Sequence, residues 1–268
     1  AKVNQNPVRS QKELLGLVKS VCFSPEDLDL VRGDPSERRS FLDQLLIQQS
    51  PRLAGVISDY ERALKQRNSL LKSRAPESSL RSWSEHLATF GGEVIAGRIK
   101  LINQIEPLFQ IAYKNLSAKK LAKLGYKSSI PAPSSEKEVN KEVMLKVIEE
   151  VKSQEIERGI SLVGPHRDDL ILNLGDHPVK GYASHGESWS IALALRLASY
   201  QLFINEGAKP ILILDDVFSE LDEGRREKLL EIADSAEQTF ITVAVENDLP
   251  KAIQGARFKV EMGKVVIL

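Results

Sequence analysis

"ILILDDVFSELD", residues 211–222, decides how the chain is read. An unbroken aliphatic run of this kind predicts a strand buried on both faces, the habit of parallel sheets packed between helices. Asp215 and Asp216 follow it at once, and Ser-Glu-Leu-Asp comes next. Carboxylates outside the C-terminal end of a strand stand where open α/β sheets bind their ligands. The plainer alternative is that the aspartates only begin a turn.

Working outward, "LILNL" (170–174), "TFITVAV" (239–245) and "ARFKVEMGKVVIL" (256–268) predict further strands. "ESWSIALALRLASYQLFI" and "EGRREKLLEIADSA" predict helices between them, and strands alternating with helices mean an α/β unit. Residues 34–158 follow a different pattern, overwhelmingly helical. "RGDPSERRSFLDQLL" carries a helix start, with Asp34 as N-cap, Pro35 in the first turn and Glu37 at the capping-box position. Leu53, Val56, Ile57, Tyr60, Leu64 and Leu71 then recur at helical spacing, as do Trp83, Leu87, Phe90, Val94, Ile95, Ile99 and Ile102. A further stripe, Val139, Val143, Val147, Ile148 and Val151, follows the "SSIPAPSS" break and a capping pattern from Ser135 to Glu138. Such stripes pack helices together and carry no chemistry. Residues 1–33 are mixed, with a hairpin-like "AKVNQNPVRS" and a strand-like "LVKSVCF". The expected division is therefore 1–33, a helical lobe over 34–158, and an α/β part over 159–268.

At 268 residues the chain can hold one large domain or two ordinary ones. Lys plus Arg equals Asp plus Glu at 37 each, so any nucleic-acid surface must be a local patch. The single cysteine, Cys22, cannot form an internal disulfide, which fits a reducing cytoplasm. No apolar run approaches the roughly 20 residues of a membrane span and no signal peptide is visible, so no membrane partner is expected.

Ahead of the acidic strand, "YASHGESWSIALALRLA" sets Ser184, His185 and Gly186 directly before an apolar helix. A hydroxyl, a glycine and the unpaired N–H groups of a helix start make an anion cradle. A plain Ser N-cap with a Gly in the turn is the alternative. The order of parts favours the cradle: anion loop, apolar helix, buried strand, Asp-Asp, Ser-Glu-Leu-Asp. That order resembles the second half of an ATP-binding-cassette (ABC) ATPase head. "SHGES" is similar to the family's Ser-Gly-Gly-Gln/Glu signature, with His185 in place of the first Gly and Glu187 matching the acidic variant. "ILILDD" resembles the Walker B strand, with Asp216 where most members carry Glu, and "SELD", ending at Asp222, resembles the loop that crosses to the partner subunit.

"FSPEDLDLVRGDPSERRSFLDQLL", "DYERALKQRNSLLK" and "GPHRDDL" narrow the resemblance to the RecF family of bacterial recombination-mediator ATPases, related to Rad50 and the SMC proteins. The likeness runs from about residue 8 to residue 245. It implies an α/β ABC-type head interrupted by an inserted helical lobe. It also implies ATP and Mg²⁺ as cofactors, with Ser184, Gly186, Glu187 and Asp222 at the nucleotide, Asp215 on the metal and Asp216 polarising the attacking water. An Asp reaches less far than a Glu, so slow hydrolysis is expected. Further implications are a homodimer closed by ATP, binding to double-stranded or gapped DNA, and RecR and RecO as partners in recombinase loading and the SOS response.

Three departures from the family pattern stand out. The Walker A loop, G-x-x-x-x-G-K-[ST], does not occur; "GAKP" and "GGEVIAGR" do not supply it. The sequence is therefore expected to be a fragment without the phosphate-cradling lobe, inactive in hydrolysis by itself. No switch His follows the strand at 239–245. "FSPEDL" occupies the place of the Q-loop glutamine, leaving Glu26 or Asp27 as the nucleotide sensor.

In "GPHRDD", His166 has no second His or Cys at ligand spacing, so a metal site is not expected. Arg167 with Asp168 and Asp169 reads as a turn fixed by ion pairs, or as a loop in which Arg167 meets phosphate. His86 and His177 read as surface residues, and Trp189 as packing. Candidate DNA contacts are Lys65 and Lys72, in a run where Arg67 falls near the apolar stripe, and Lys119, Lys120 and Lys123 in "KNLSAKKLAKLGYK". A solvated helix face is the alternative for both clusters. Against the RecF-type reading stand a transporter-type ATPase subunit, disfavoured by the basic inserted lobe, and a non-catalytic dimerisation or DNA-binding fragment.

Overall fold

The computed structural model describes residues 2–3, 5–8, 14–117, 120–245, 249 and 253–268. Strands β1 (Lys2–Val3) and β2 (Asn6–Pro7) pair antiparallel as the expected opening hairpin. Strand β3 (Ser20–Phe23) follows, then α1 (Leu28–Arg32) and α2 (Pro35–Gln49). Asp34 is the N-cap residue of α2 as expected, but its side chain makes no capping bond. Helix α3 (Arg52–Lys72) buries Leu53, Val56, Tyr60 and Leu71 against α4 (Glu77–Leu116), as its stripe predicts.

The reading of 34–158 as overwhelmingly helical needs correction at residues 122–127. The lysine-rich stretch after α4 ends in a strand, β4 (Ala122–Lys127), paired antiparallel with β5 (Asp169–Leu174) from Ala122↔Leu174 to Lys127↔Asp169. Ala122 and Leu124 face inward while Lys123 and Lys127 face solvent, the alternation of a half-buried strand. The short β6 (His177–Pro178) completes this sheet in the order β4-β5-β6.

The capping expectation fails at α5 (Lys137–Glu150), which is followed by α6 (Lys152–Arg158). Its N-cap residue is Glu136, without a side-chain bond, so Ser135 and Glu138 form no capping pair. Its most buried residues are Asn140, Met144 and Ile148; of the expected stripe, Ile148 is buried, Val143, Val147 and Val151 are half-buried against the same core, and Val139 is exposed. The buried Asn140 accepts from the Ser134 amide at 2.8 Å and donates to the carbonyls of Ser134 (2.7 Å) and Gly92 (3.2 Å). The glycine pair in "GGEVIAGR" explains the close approach of α5. A Cβ on Gly92 would lie 2.7 Å from the Lys137 carbonyl oxygen, and one on Gly91 2.9 Å from the Met144 side chain.

Helix α7 (His185–Asn205) is apolar all round and accordingly buried, packed against β3, α1 and α4. It leads into β7 (Ile211–Asp215), then α8 (Glu223–Ser235) and β8 (Thr239–Thr242). Strands β3, β7 and β8 form a parallel sheet with β7 in the centre. Leu212 and Leu214 share one fully buried face with Val21 and Phe23. The opposite face is less covered than expected: Ile211 and Ile213 are half-buried and Phe240 is exposed. Strands β9 (Phe258–Glu261) and β10 (Lys264–Ile267) make a separate antiparallel hairpin.

Arg67 is fully buried and bonded to Ser84 Oγ (2.9 Å), Ser161 Oγ (2.8 Å) and Glu155 Oε2 (2.5 Å). It thus ties α3 to α4, α6 and the following loop. Glu155→Gln should destabilise the fold by about 3 kcal/mol, because it leaves a buried guanidinium without its counter-charge. The figure sits at the low end since the amide oxygen can still accept from the Leu162 N–H. Chemical denaturation of the two proteins measures the difference.

Candidate functional site

The acidic strand end is built by β7 and β8. Asp215 closes β7 beside Thr242, whose hydroxyl donates to Asp215 Oδ1. The second carboxylate oxygen has no partner among the described residues. Asp216 then turns into the left-handed region at φ +53°, a conformation Asp adopts more readily than most side chains. Its amide donates to the Thr242 carbonyl (3.2 Å), its Oδ1 accepts from the Ala244 amide (3.2 Å), and its carbonyl accepts from Ser219 Oγ (3.1 Å). These bonds fix the outward turn and leave Asp216 half-buried.

A metal site fits this end only in a limited sense. Among the described residues no cluster of three or more His, Cys, Asp or Glu side chains forms. The open oxygen of Asp215 is one hard donor, suited to an ion such as Mg²⁺ that takes its other ligands from water and phosphate.

The anion loop forms as a capped helix start. Ser184 Oγ accepts from the Glu187 amide (3.2 Å), while Glu187 Oε2 accepts from the Ser184 amide (2.9 Å), a reciprocal capping box. The amides of His185 and Gly186, the first two of α7, have no acceptor among the described residues. Glu187 Oε1 receives Lys120 Nζ at 2.9 Å. The Ser184 amide first, then Lys120, holds the Glu187 carboxyl well below its ordinary range, at about 2. Glu187 is thus committed to the cap and to Lys120. Trp189 is buried and donates to His185 Nε2 (3.2 Å), as a packing residue does.

Asp222 caps α8, accepting from the Arg225 amide (3.0 Å) and pairing with Arg225 Nη1 (2.7 Å). Arg225, to which no sequence motif points, also donates to Ser190 Oγ (3.0 Å), and Ser190 Oγ donates to the Gly186 carbonyl (3.0 Å). The loop from Asp216 to Asp222 is therefore strapped to the first turn of α7. Only its spacing, three residues after a helix cap, could have singled out Arg225.

The two parts stand at one end of the sheet but at different heights. Near the start of β3, Lys19 pairs with Glu206 (2.7 Å) and lies over the Phe203 ring, at the end of α7. Beyond the other end of β3, Asp27 pairs with Arg196 (2.6 Å). Helix α7 thus runs antiparallel to the strands. Ser184 lies 12 residues before Arg196, about 18 Å farther along the helix.

Other expectations resolve on the same geometry. Asp27 is buried, bonded to Arg196 through both Nε (2.9 Å) and Nη2 (2.6 Å) and accepting from the Ser24 amide (3.1 Å). Burial raises its carboxyl, and Arg196 opposes that rise. This carboxylate ties the segment after β3 to α7. In the 164–169 segment only Asp169 makes an ion pair, a two-bond contact with Arg38 (2.8 and 2.9 Å). Asp168, fully buried, takes the Tyr126 hydroxyl (2.6 Å) and the Ser129 amide (2.7 Å). Arg167 donates to the Ser161 carbonyl (3.0 Å). His166 bonds Tyr60 Oη through Nδ1 (2.5 Å), and burial lowers its pKa to about 4. These groups join the helical lobe to β5.

Of the candidate DNA contacts, Lys65 and Lys72 are exposed on α3 and Lys123 is exposed on β4. Lys120 is engaged with Glu187, and Lys119 lies outside the described residues. No described helix is long and apolar enough to cross a membrane.

No protein-family model matches the chain. Curated relatives do. The chain is 48% identical over 277 aligned positions to the DNA replication and repair protein RecF of Streptomyces avermitilis, covering 99% of this chain and 74% of that protein. It is 46% identical to the protein of the same name from Kineococcus radiotolerans, over 95% of this chain and 72% of that one. Among solved structures, the recombination mediator RecF bound to ATPrS, described as part of the RecFOR pathway, superposes with a TM-score of 0.90 at 27% identity. That match covers all of this chain and 72% of that one, and the ATP-bound form gives 0.87.

Proposed function

Because the chain belongs to the RecF family of DNA replication and repair proteins, we propose that it is part of an ATP-binding head that dimerises on DNA, with the helical lobe at 34–158 inserted between head segments 1–33 and 159–268. Each nucleotide lies between two copies. One copy places Asp215 and Asp216 beside the phosphates, and the other presents Ser184 and the amides of His185 and Gly186. The offset along α7, about 18 Å from Arg196 to Ser184, carries this reading. That offset supports leaving the Ser184 loop to serve the nucleotide of a second copy.

A bound Mg²⁺ would supply neutralisation of the charge that develops on the phosphate oxygens. Asp215 offers its open oxygen to that ion. Asp216, steadied by the Ala244 amide, orients a water and draws its proton. Its short reach keeps turnover slow. The closed dimer holds double-stranded or gapped DNA and, with RecR and RecO, promotes recombinase loading and the SOS response; family membership and the RecFOR context of the solved relative support these roles. Light scattering of the complete protein, with Mg²⁺ and a non-hydrolysable ATP analogue, tests the reading. The mass should double on addition of the analogue, and a constant mass while the analogue is bound refutes the shared site.

Lys65, Lys72 and Lys123 are the proposed DNA contacts, and Lys119 is a further candidate from the sequence alone. Reversing Lys65, Lys72 and Lys123 to Glu should weaken binding to every DNA sequence. The slope of log affinity against log salt should fall by about 1 for each phosphate that is no longer neutralised. Unchanged affinity and slope in a fluorescence-anisotropy titration would assign these lysines to plain solvation.

A further inference from the structure

Glu187 sets a negative charge in the first turn of the helix whose start is proposed to meet a phosphate. Its carboxyl is ionised throughout the physiological range. A fixed like charge beside an incoming anion opposes it. The residue nevertheless has local work, because its Oε2 bonds the Ser184 amide and shapes the loop.

The opposing cation comes from a distant part of the chain. Lys120 Nζ reaches Glu187 Oε1 at 2.9 Å across 67 positions, from the segment joining α4 to β4. The pair is partly open to solvent, with side-chain exposures of 52% for Lys120 and 23% for Glu187. Of the other cations near this helix start, Arg225 is committed to Asp222 and Ser190, and Arg32 donates to Ser188 Oγ at 3.3 Å and makes no bond to Glu187. Tyr113, Ser117 and Lys120 line a shared open pocket with Pro107 and Leu121.

We propose that Lys120 is a positioning residue of the nucleotide-dependent interface: it cancels the charge of Glu187 and holds that side chain on the Ser184 amide, so that the loop meets a partner's phosphate in its capped, neutralised form. The proposal rests on the shared-site dimer. It assigns Lys120 to the ATP interface and away from the DNA-binding set.

Lys120→Ala, Glu187→Gln and the double variant test it in the complete protein. Gln keeps the capping bond, because its amide oxygen can accept from the Ser184 N–H. Dimer dissociation constants are measured by sedimentation with a non-hydrolysable ATP analogue, beside DNA affinity without nucleotide. Lys120→Ala should weaken dimerisation about 5-fold per site, hence about 25-fold in a dimer that contains the pair twice, and less at high salt. Adding Glu187→Gln should restore the dimer to the level of Glu187→Gln alone. A merely structural Lys120 would show no such rescue. Unimpaired dimerisation in Lys120→Ala overturns the proposal alone, as does a double variant no better than Lys120→Ala. DNA affinity that falls while dimerisation holds returns Lys120 to the DNA set. A wild-type protein that binds the analogue and stays monomeric removes the shared-site reading, and this proposal with it.

Discussion

Ser184→Arg in the complete protein should abolish ATP-dependent dimerisation, weakening it by at least about 10³-fold, while ATP binding to the monomer and the fold survive. In the proposed shared site, Ser184 begins the loop that would face the second nucleotide, where its hydroxyl and the neighbouring amides would need a small side chain to leave room for a phosphate. An arginine fills that space. Loss of the Ser cap should cost the fold only about 1 kcal/mol, because α7 is held by the burial of Ile191, Ala194, Leu195, Ala198 and Phe203. Light scattering with a non-hydrolysable analogue, a nucleotide-affinity measurement and thermal unfolding separate the three claims. A variant that still dimerises reduces the loop to a helix cap and removes the shared nucleotide. A variant that loses nucleotide affinity as a monomer places Ser184 on its own chain's nucleotide.

Asp216→Asn should slow phosphate release by about 10³-fold, within the range expected for loss of a general base, and leave ATP binding intact. The backbone makes this substitution a clean one. Asp216 sits at φ +53°, where Asn is as well tolerated as Asp, and the amide oxygen can still accept from Ala244. Only the charge and basicity are lost. The ATP-closed, DNA-bound state should therefore persist, visible as slower release of DNA after a chase. If nucleotide binding is lost instead, Asp216 holds the metal or the loop and the roles of the two aspartates must be redrawn. Asp216→Ala is a poor substitute, since it removes the bond to Ala244 and places a residue unsuited to a positive φ there.

Both experiments depend on features that the sequence and the fold contribute unequally. The strand at 211–215 and the carboxylates after it were legible because an aliphatic run and its abrupt end are local signals. The cap at Ser184 was equally legible, because Ser184 and Glu187 are bonded across three positions of one helix start. The start of α2 at Pro35 and the buried line of α3 follow from the same short-range rules. A residue's side-chain direction along a helix or strand depends on its neighbours in sequence, so periodicity alone carries this information.

Whatever depends on a partner far along the chain had no such signal. β4 exists because β5 has an edge to pair, and the lysines alternating on it read as a helix face until that partner is in place. Asn140 and Asp168 look like surface residues by type, and for Arg67 the apolar stripe pointed to an internal partner without saying which. Asn140, Arg67 and Asp168 are buried because Gly92 and Ser134, Glu155 and Ser161, and Tyr126 and Ser129 supply the bonds that burial of a polar group requires. Glu187 was read only as part of the signature, its charge partner Lys120 stands 67 positions away, and Arg225 is joined to Ser190 across 35. The sequence by itself determined most of the helices, the strand β7, and where the acidic strand end and the capped start of α7 lie. Only the tertiary structure decided which charges face one another there, because electrostatic and hydrogen-bonding partners act through space, and sequence periodicity records only what lies within a few turns.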